Sequence, residues 1–300
     1  MLSLTILGNN SAIPAHNRHP TAQVLQIQDE HILIDCGEGT QMQMARYKVK
    51  SSKINRIFIS HLHGDHYYGL AGLLTSMSLL NRTNDLHIHG PAPLGEIINM
   101  QFKLAEVNLS YSLHFHPVAG EGIAYEDEKI QVQCFALQHR IECWGYLFKE
   151  KKNLRKINIE QVKKHQVPPA FFDALHKGQD YILPDGAVIS NQLLTTAAPL
   201  PKSYAYCSDT IFDEGIAEKI KGATALYHEA TYLHDEAKKA AERYHSTALQ
   251  AAIIAQKAGV QQLLLGHFSS RYEDLDAFLT EACPMFENTG LALEGVCFKI

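Results

Sequence analysis

The chain has 300 residues, 46% hydrophobic and 20% charged, with a formal net charge of −5. This ordinary globular usage excludes a disordered, collagenous or coiled-coil protein, and the acidic balance argues against an indiscriminate nucleic-acid coat while leaving room for a local basic patch. No run approaches the roughly 18 apolar residues of a membrane span, Met1–Gly8 lacks a basic leader and cleavage site, and Cys36, Cys134, Cys143, Cys207, Cys283 and Cys297 form no C-x-x-C pair, so a cytoplasmic protein with reduced, buried thiols is expected.

In chain order, strands are expected at Leu2–Leu7, Gln23–Gln28 and His31–Cys36, opening as a meander, then a helix over Gly39–Lys48. The β-branched run Ile54–Ser60 reads as a buried strand ending at His61, and Gly64–Leu80 has helical spacing through Leu70, Leu73, Leu74 and Met77. Further strands are expected at Leu86–His89, Leu113–Val118, Ile130–Gln138, Cys143–Phe148, Ser203–Ser208, Ala225–Glu229, Gln261–Gly266 and Gly295–Lys299. Helices fill Leu94–Leu104, Asp213–Ile220, His234–Arg243, Thr247–Ala258 and Tyr272–Phe286. Runs of strands followed by strand–helix alternation imply an α/β architecture of two packed sheets with helices outside. Lys149–Pro201, with Pro168-Pro169 and Pro184-Asp185-Gly186, reads as an arm inserted into a single domain spanning residues 1–300.

Seventeen histidines are the compositional anomaly. Those at His87, His89, His114 and His116 alternate with apolar residues, as polar faces of strands do. The segment His61-Leu62-His63-Gly64-Asp65-His66 is different: four ligand-type side chains lie within six residues, after a strand and before a helix. His61 and His63 share a face while the chain is extended, and Asp65 and His66 enter the helix, reaching a second ion. One metal cannot readily use four side chains from so short a segment, so the spacing favours two ions, which sit ~3.5–4 Å apart, activate water and clamp the oxygens of an in-line displacement. His139, Asp209 and His267 each follow an apolar strand directly and are candidates for the remaining ligands. This donor mixture suits two Zn²⁺ per chain, with Mn²⁺ or iron as alternatives, and no organic cofactor is expected.

The His-x-His-x-Asp-His motif, followed by a histidine, an aspartate and a histidine at later strand ends, resembles the metallo-β-lactamase family. The resemblance implies an αββα sandwich with His61, His63 and His139 on one ion, Asp65, His66 and His267 on the other, and Asp209 bridging. Asp35, in Asp35-Cys36-Gly37-Glu38-Gly39-Thr40, matches an early aspartate that orients a ligand.

Over nearly its whole length the chain is also similar to the ribonuclease Z family, endonucleases that mature tRNA 3′ ends. His228-Glu229-Ala230-Thr231 and His245-Ser246-Thr247 match two of its motifs, which implies His245 held by Glu229 as a general acid, with Asp65 also accepting a proton. The run Gly266-His267-Phe268-Ser269-Ser270-Arg271-Tyr272 matches a third, offering Ser269, Arg271 and Tyr272 to phosphate oxygens. Between Lys149 and Lys164 seven Lys or Arg face two Glu. This basic limb, including Lys151, Lys152, Arg155 and Lys156, suits an RNA backbone, and the family's protruding arm grips tRNA from this position. The loop Ser11–Pro20 keeps Pro14 and Arg18 of the family's Pro-x-Lys-x-Arg-Asn but has His16 and His19, so its choice of cleavage position relative to CCA is not implied. The implied enzyme is a homodimer that cuts precursor tRNA, leaving a 3′-hydroxyl on the tRNA and a 5′-phosphate on the trailer, with no membrane association. Two alternatives stay open: a small-molecule phosphodiesterase or arylsulfatase-like hydrolase of the same fold, and a non-catalytic RNA-binding module.

Overall fold

A computed structural model describes residues 2–151, 154–198 and 200–300, and its central strands are buried almost continuously along their length, as in sheets covered on both faces. The first run is β1 (Leu2–Gly8), β2 (Ala22–Ile27), β3 (Glu30–Ile34), β4 (Ile54–Phe58), β5 (Leu86–Pro91), β6 (Leu113–Val118), β7 (Gly122–Glu126), β8 (Ile130–Leu137) and β9 (Cys143–Glu150). Four short strands follow: β10 (Lys156–Ile157), β11 (Tyr181–Ile182), β12 (Val188–Ile189) and β13 (Thr195–Thr196). The last run is β14 (Ser203–Cys207), β15 (Ala225–Glu229), β16 (Gln262–Gly266), β17 (Thr289–Leu291) and β18 (Cys297–Lys299). One seven-stranded sheet has the order β18-β1-β2-β3-β4-β5-β6, and a second the order β17-β16-β15-β14-β9-β8-β7.

Residue alternation makes four layers of these two sheets. Leu4, Ile6, Ile32, Ile34 and Phe58 of the first sheet share a buried cluster with Tyr146, Tyr204, Tyr206, Tyr227 and Leu264 of the second. Their neighbours point the other way: Leu33 and Ile57 pack under the helices Leu70–Leu79 and Pro93–Leu104, and Leu226, Leu263 and Leu265 under Ala248–Ala258. The expected αββα sandwich is therefore present. Buried tyrosines in its centre need partners. Tyr146 donates to the Ile59 carbonyl at 2.7 Å, and Tyr206 to Asp35 at 2.6 Å.

Several element ends differ from expectation, each for a local reason. The helix expected over Gly64–Leu80 splits into Gly64–Tyr67 and Leu70–Leu79, because the Gly69 backbone lies against the 36–37 loop so closely that a Cβ would sit 2.2 Å from the Gly37 oxygen. The third strand stops at Ile34 because Asp35 is left-handed, with φ 55°. The helix expected over Tyr272–Phe286 forms only at Asp276–Ala282, since the Tyr272 and Glu273 carbonyls accept from the Arg18 guanidinium instead. His89 is not a solvated strand residue: it is 2% exposed and stacks on Phe58 with ring centroids 4.4 Å apart. Four cysteines are buried as expected, whereas Cys283 is half-buried and Cys297 exposed.

The helix Ala248–Ala258 begins at a capping box in which Thr247 accepts from the Gln250 amide and the Gln250 side chain accepts from the Thr247 amide. Thr247→Ala is expected to lower stability by about 1 kcal/mol, read as a lower urea midpoint with an unchanged slope.

The chain divides into two compact units, one made of Met1–Glu126, Ile130–Lys149 and Lys202–Ile300, the other of Asp127–Lys129 and Glu150–Pro201. The smaller unit has its own core of Val162, Val167, Leu175, Ile189 and Leu194. Within it Lys156 is exposed, and Arg155 donates to Thr195 Oγ1 at 2.7 Å. Lys151 donates its backbone N–H to the Lys129 carbonyl, and Lys152 lies outside the described residues. No helix among the described residues is long and apolar enough to cross a membrane.

Candidate metal centre and catalytic cleft

Parallel pairing gathers the site. β14, β15 and β16 run parallel, so their carboxyl ends deliver Asp209, Glu229 and His267 to one edge. β3 and β4 do the same in the other sheet for Asp35 and, two residues beyond Ile59, His61. His139 follows β8, and the helix Gly64–Tyr67 carries Asp65 and His66.

The donor atoms sort into two sets around the buried Asp209. His63 Nδ1 lies 3.0 Å from His61 Nε2 and 3.1 Å from His139 Nε2. The Nε2 atoms of His61 and His139 are each 3.7 Å from Asp209 Oδ2. On the other side His66 Nε2 and His267 Nε2 are 3.3 Å apart, each within 3.5 Å of Asp65 Oδ2, and 3.4 and 3.2 Å from Asp209 Oδ1. Asp209 thus turns a different oxygen to each set. Its Oδ1 is buried without a hydrogen-bond partner.

These observations fit a pair of divalent cations. Tetrahedral ligands about 2.0–2.1 Å from one ion lie roughly 3.3 Å from each other, close to the spacings seen here. The outer nitrogens are already occupied: Nδ1 of His61 faces Ser60 Oγ at 3.0 Å, that of His66 faces Asp35 at 2.7 Å, that of His139 donates to the Tyr244 carbonyl at 2.9 Å, and that of His267 meets Thr231 Oγ1 at 2.9 Å. Each arrangement leaves Nε2 as the free ligand atom. Among the described residues, every ion pair of Asp65 and Asp209 is with a histidine, so the buried negative charge lacks a Lys or Arg counter-ion. Burial opposes the charged form of His66, yet Asp209, Asp65 and Asp35 outweigh it and hold the imidazole well above its usual range.

Asp35 is a framework for this set, not a helix cap. Its Oδ2 accepts from His66 Nδ1, Tyr206 and Ser60 Oγ, and its Oδ1 from the Ser60 amide at 2.7 Å. Asp35 and His267 both adopt positive φ, 55° and 60°, where non-glycine residues are uncommon and concentrate at functional sites.

A second buried pair lies beside the first. Glu229 Oε1 accepts from His245 Nδ1 at 2.9 Å and from the Thr210 amide at 3.0 Å, while Oε2 accepts from the Thr231 amide and hydroxyl. Burial lowers the His245 pKa, but the Glu229 charge and hydrogen bond more than offset it and raise the group to about 9. Thr231 joins the two constellations, donating to Glu229 while its lone pair faces His267.

A cleft of about 420 Å³ exposes His63, Asp65, Asp209 and His245. One wall is the loop at Ser11–Pro14, whose Ala12 amide donates to Asp65 Oδ2 at 2.8 Å. His16, Arg18 and His19 of that loop are engaged by the Ser270 carbonyl, the Asn10, Tyr272 and Glu273 oxygens, and Glu294. Ser269, Arg271 and Tyr272 do not line the cleft. Arg271 is paired with Glu236, Ser269 Oγ accepts from the Arg271 amide, and the Tyr272 hydroxyl accepts from the Leu233 amide. Arg140 and Tyr68 do line it, though neither belongs to the sequence motifs. The one signal for Arg140 is its place directly after His139.

Comparison with known proteins places this geometry. Residues 2–154 match the family model described as Anti-Pycsar protein Apyc1. A ribonuclease Z of Bacteroides fragilis is 45% identical over 99% of this chain and 98% of its own. The crystal structure of human tRNase Z, short form, is 26% identical, covers 99% of both chains and superposes with a TM-score of 0.72. The metallo-β-lactamase fold protein YhfI from Bacillus subtilis, 18% identical over 99% of this chain and 98% of its own with a TM-score of 0.70, shares the fold.

Proposed function

Because the chain belongs to the ribonuclease Z family, and over residues 2–154 also to the family described as Anti-Pycsar protein Apyc1, we propose that its two donor sets hold two zinc ions at which the 3′ trailer of precursor tRNA is cut. It is a metal-dependent endoribonuclease of tRNA 3′ processing. The observation that carries the two-ion reading is Asp209, whose two oxygens face different imidazole sets. His61, His63 and His139 would hold one ion, and Asp65, His66 and His267 the other. Five imidazoles and two carboxylates suit zinc.

When bound, such a pair lowers the pKa of water and neutralises charge on a phosphoryl oxygen. Asp65 lies at the cleft floor, its Oδ2 steadied by the Ala12 amide, where it can take the proton of the attacking water. Glu229 occupies His245 Nδ1, so Nε2 is the atom that presents a proton to the departing ribose 3′ oxygen. The tRNA then keeps a 3′-hydroxyl and the trailer a 5′-phosphate. Asp35 keeps the His66 ring aimed.

The segment Lys149–Lys164, in which seven Lys or Arg stand against two Glu, serves as the limb that grips tRNA, through Lys151, Lys152, Arg155 and Lys156. Ser269, Arg271 and Tyr272 hold the adjoining loop in shape, Arg271 through its pair with Glu236. Two copies associate in the cytoplasm, for which the exposed Met42, Leu79 and Leu80 offer apolar surface.

Gel mapping of a labelled precursor tRNA tests the reading. One cut beside the discriminator base, lost on chelation and restored by Zn²⁺, is expected. An intact precursor from protein that still hydrolyses a small aryl diester would overturn it in favour of the small-molecule hydrolase.

A further inference from the structure

Two side chains of the catalytic cleft have no part in the chemistry above. Arg140 leaves the end of β8 directly after His139, is exposed, and makes no hydrogen bond or ion pair among the described residues. It lies close enough to His63 for its charge to bear on that imidazole. A guanidinium left free beside a phosphodiester-cleaving centre is matched to phosphate in charge and in its two-pronged geometry. Arg271, by contrast, is already neutralised by Glu236 and stands outside the cleft.

Tyr68 is the second group. It is 68% exposed, yet it is not loose. Its ring lies over Gly64, where a Cβ would come within 2.3 Å of the ring, and it meets Tyr67 edge-on with centroids 5.0 Å apart. A flat ring already held in place stacks a base at little cost in side-chain entropy.

We propose that Arg140 and Tyr68 form a nucleotide clamp, Arg140 binding the phosphate next to the scissile one and Tyr68 stacking the base beside it. The scissile phosphate has to reach the buried donors of the floor, so a cation at the exposed rim meets its neighbour along the strand. The clamp recognises single-stranded RNA by phosphate and ring face, without reading base identity. It rests on the tRNA-processing reading and adds to it a binding site for the nucleotides flanking the cut.

The test compares precursor tRNA with bis(p-nitrophenyl) phosphate for wild type, Arg140→Ala, Tyr68→Ala and Tyr68→Phe, with zinc content measured for each. Each alanine variant is expected to lose about tenfold in kcat/KM on precursor, mainly through KM, and at least tenfold more on precursor than on the small diester. Tyr68→Phe should recover most of the loss, because the ring and not the hydroxyl does the stacking. Arg140→Ala should also flatten the salt dependence of kcat/KM by about one phosphate contact. Unchanged precursor cleavage by both alanine variants overturns the clamp alone. Equal losses on both substrates, or lost zinc, overturn it as well, by showing that these residues hold the centre together. A wild type that leaves the precursor intact overturns the clamp together with the reading beneath it.

Discussion

Asp209→Asn is expected to cut precursor-tRNA cleavage by about 10³-fold and to bring zinc well below two ions per chain. The substitution keeps the side chain's volume and removes one charge, so the result separates electrostatics from packing. In the protein Asp209 is 2% exposed, at the base of the cleft, and faces His61 and His139 with one oxygen and His66 and His267 with the other. Burial by itself pushes its carboxyl up, but His267, His66 and His61 outweigh that and hold it well below the usual carboxylate range. An amide in this place offers one oxygen and one NH₂, and the NH₂ would turn its positive hydrogens toward the cation that the donor set it faces would hold. One set would therefore lose a candidate ligand outright and the other the negative charge that would balance its cation. Lewis-acid stabilisation of a phosphoryl oxygen is worth several kcal/mol, and about 4 kcal/mol is a thousandfold in rate. Zinc counted by plasma emission alongside gel-resolved initial rates checks both halves. Two zinc ions retained at full activity would show that Asp209 does not bridge.

The gathering of these donor side chains was legible from sequence because most of them are local or tied to strand ends. His61, His63, Asp65 and His66 fall within one strand-to-helix turn, and His139, Asp209 and His267 each follow an apolar run whose end is easy to see. What holds them was not legible. Tyr206 and Asp35 are 171 residues apart, and Thr231 and His267 are 36 apart, so no window along the chain contains these hydrogen bonds. Element ends failed for the same reason. Nothing near Tyr272 announces that Arg18, 254 residues earlier, takes its carbonyl away from a helix. The phosphate loop shows the limit of motif reasoning most clearly. Arg271 has the right chemistry and the right neighbours in sequence, but Glu236 neutralises it, while Arg140 has no motif and stands in the cleft. Charge pairing across the fold decides which guanidinium is free.

His245→Ala is expected to slow precursor cleavage by about 10²–10⁴-fold, the range that general acid–base catalysis supplies, with both zinc ions retained. The imidazole stands at a point where two roles compete. Its Nδ1 is 3.9 Å from Asp209 Oδ2, near enough for His245 to be counted with the ligands, but 2.9 Å from Glu229 Oε1. The shorter contact settles the orientation: Nδ1–H belongs to Glu229, and a protonated ring then carries its second proton on Nε2 toward the cleft. A pKa raised to about 9 by that carboxylate keeps the ring charged at neutral pH. The leaving group distinguishes an acid from a ligand. A ribose 3′-alkoxide is a poor leaving group and needs a proton as the bond to phosphorus breaks, whereas p-nitrophenolate departs without one. His245→Ala should therefore lose at least tenfold more on precursor tRNA than on bis(p-nitrophenyl) phosphate, and Glu229→Gln, which leaves the ring but removes its charged partner, should fall between wild type and His245→Ala. Equal losses on both substrates accompanied by missing zinc would place His245 among the ligands. Equal losses with zinc intact would make it a stabiliser of phosphoryl charge, because that role does not depend on which oxygen leaves.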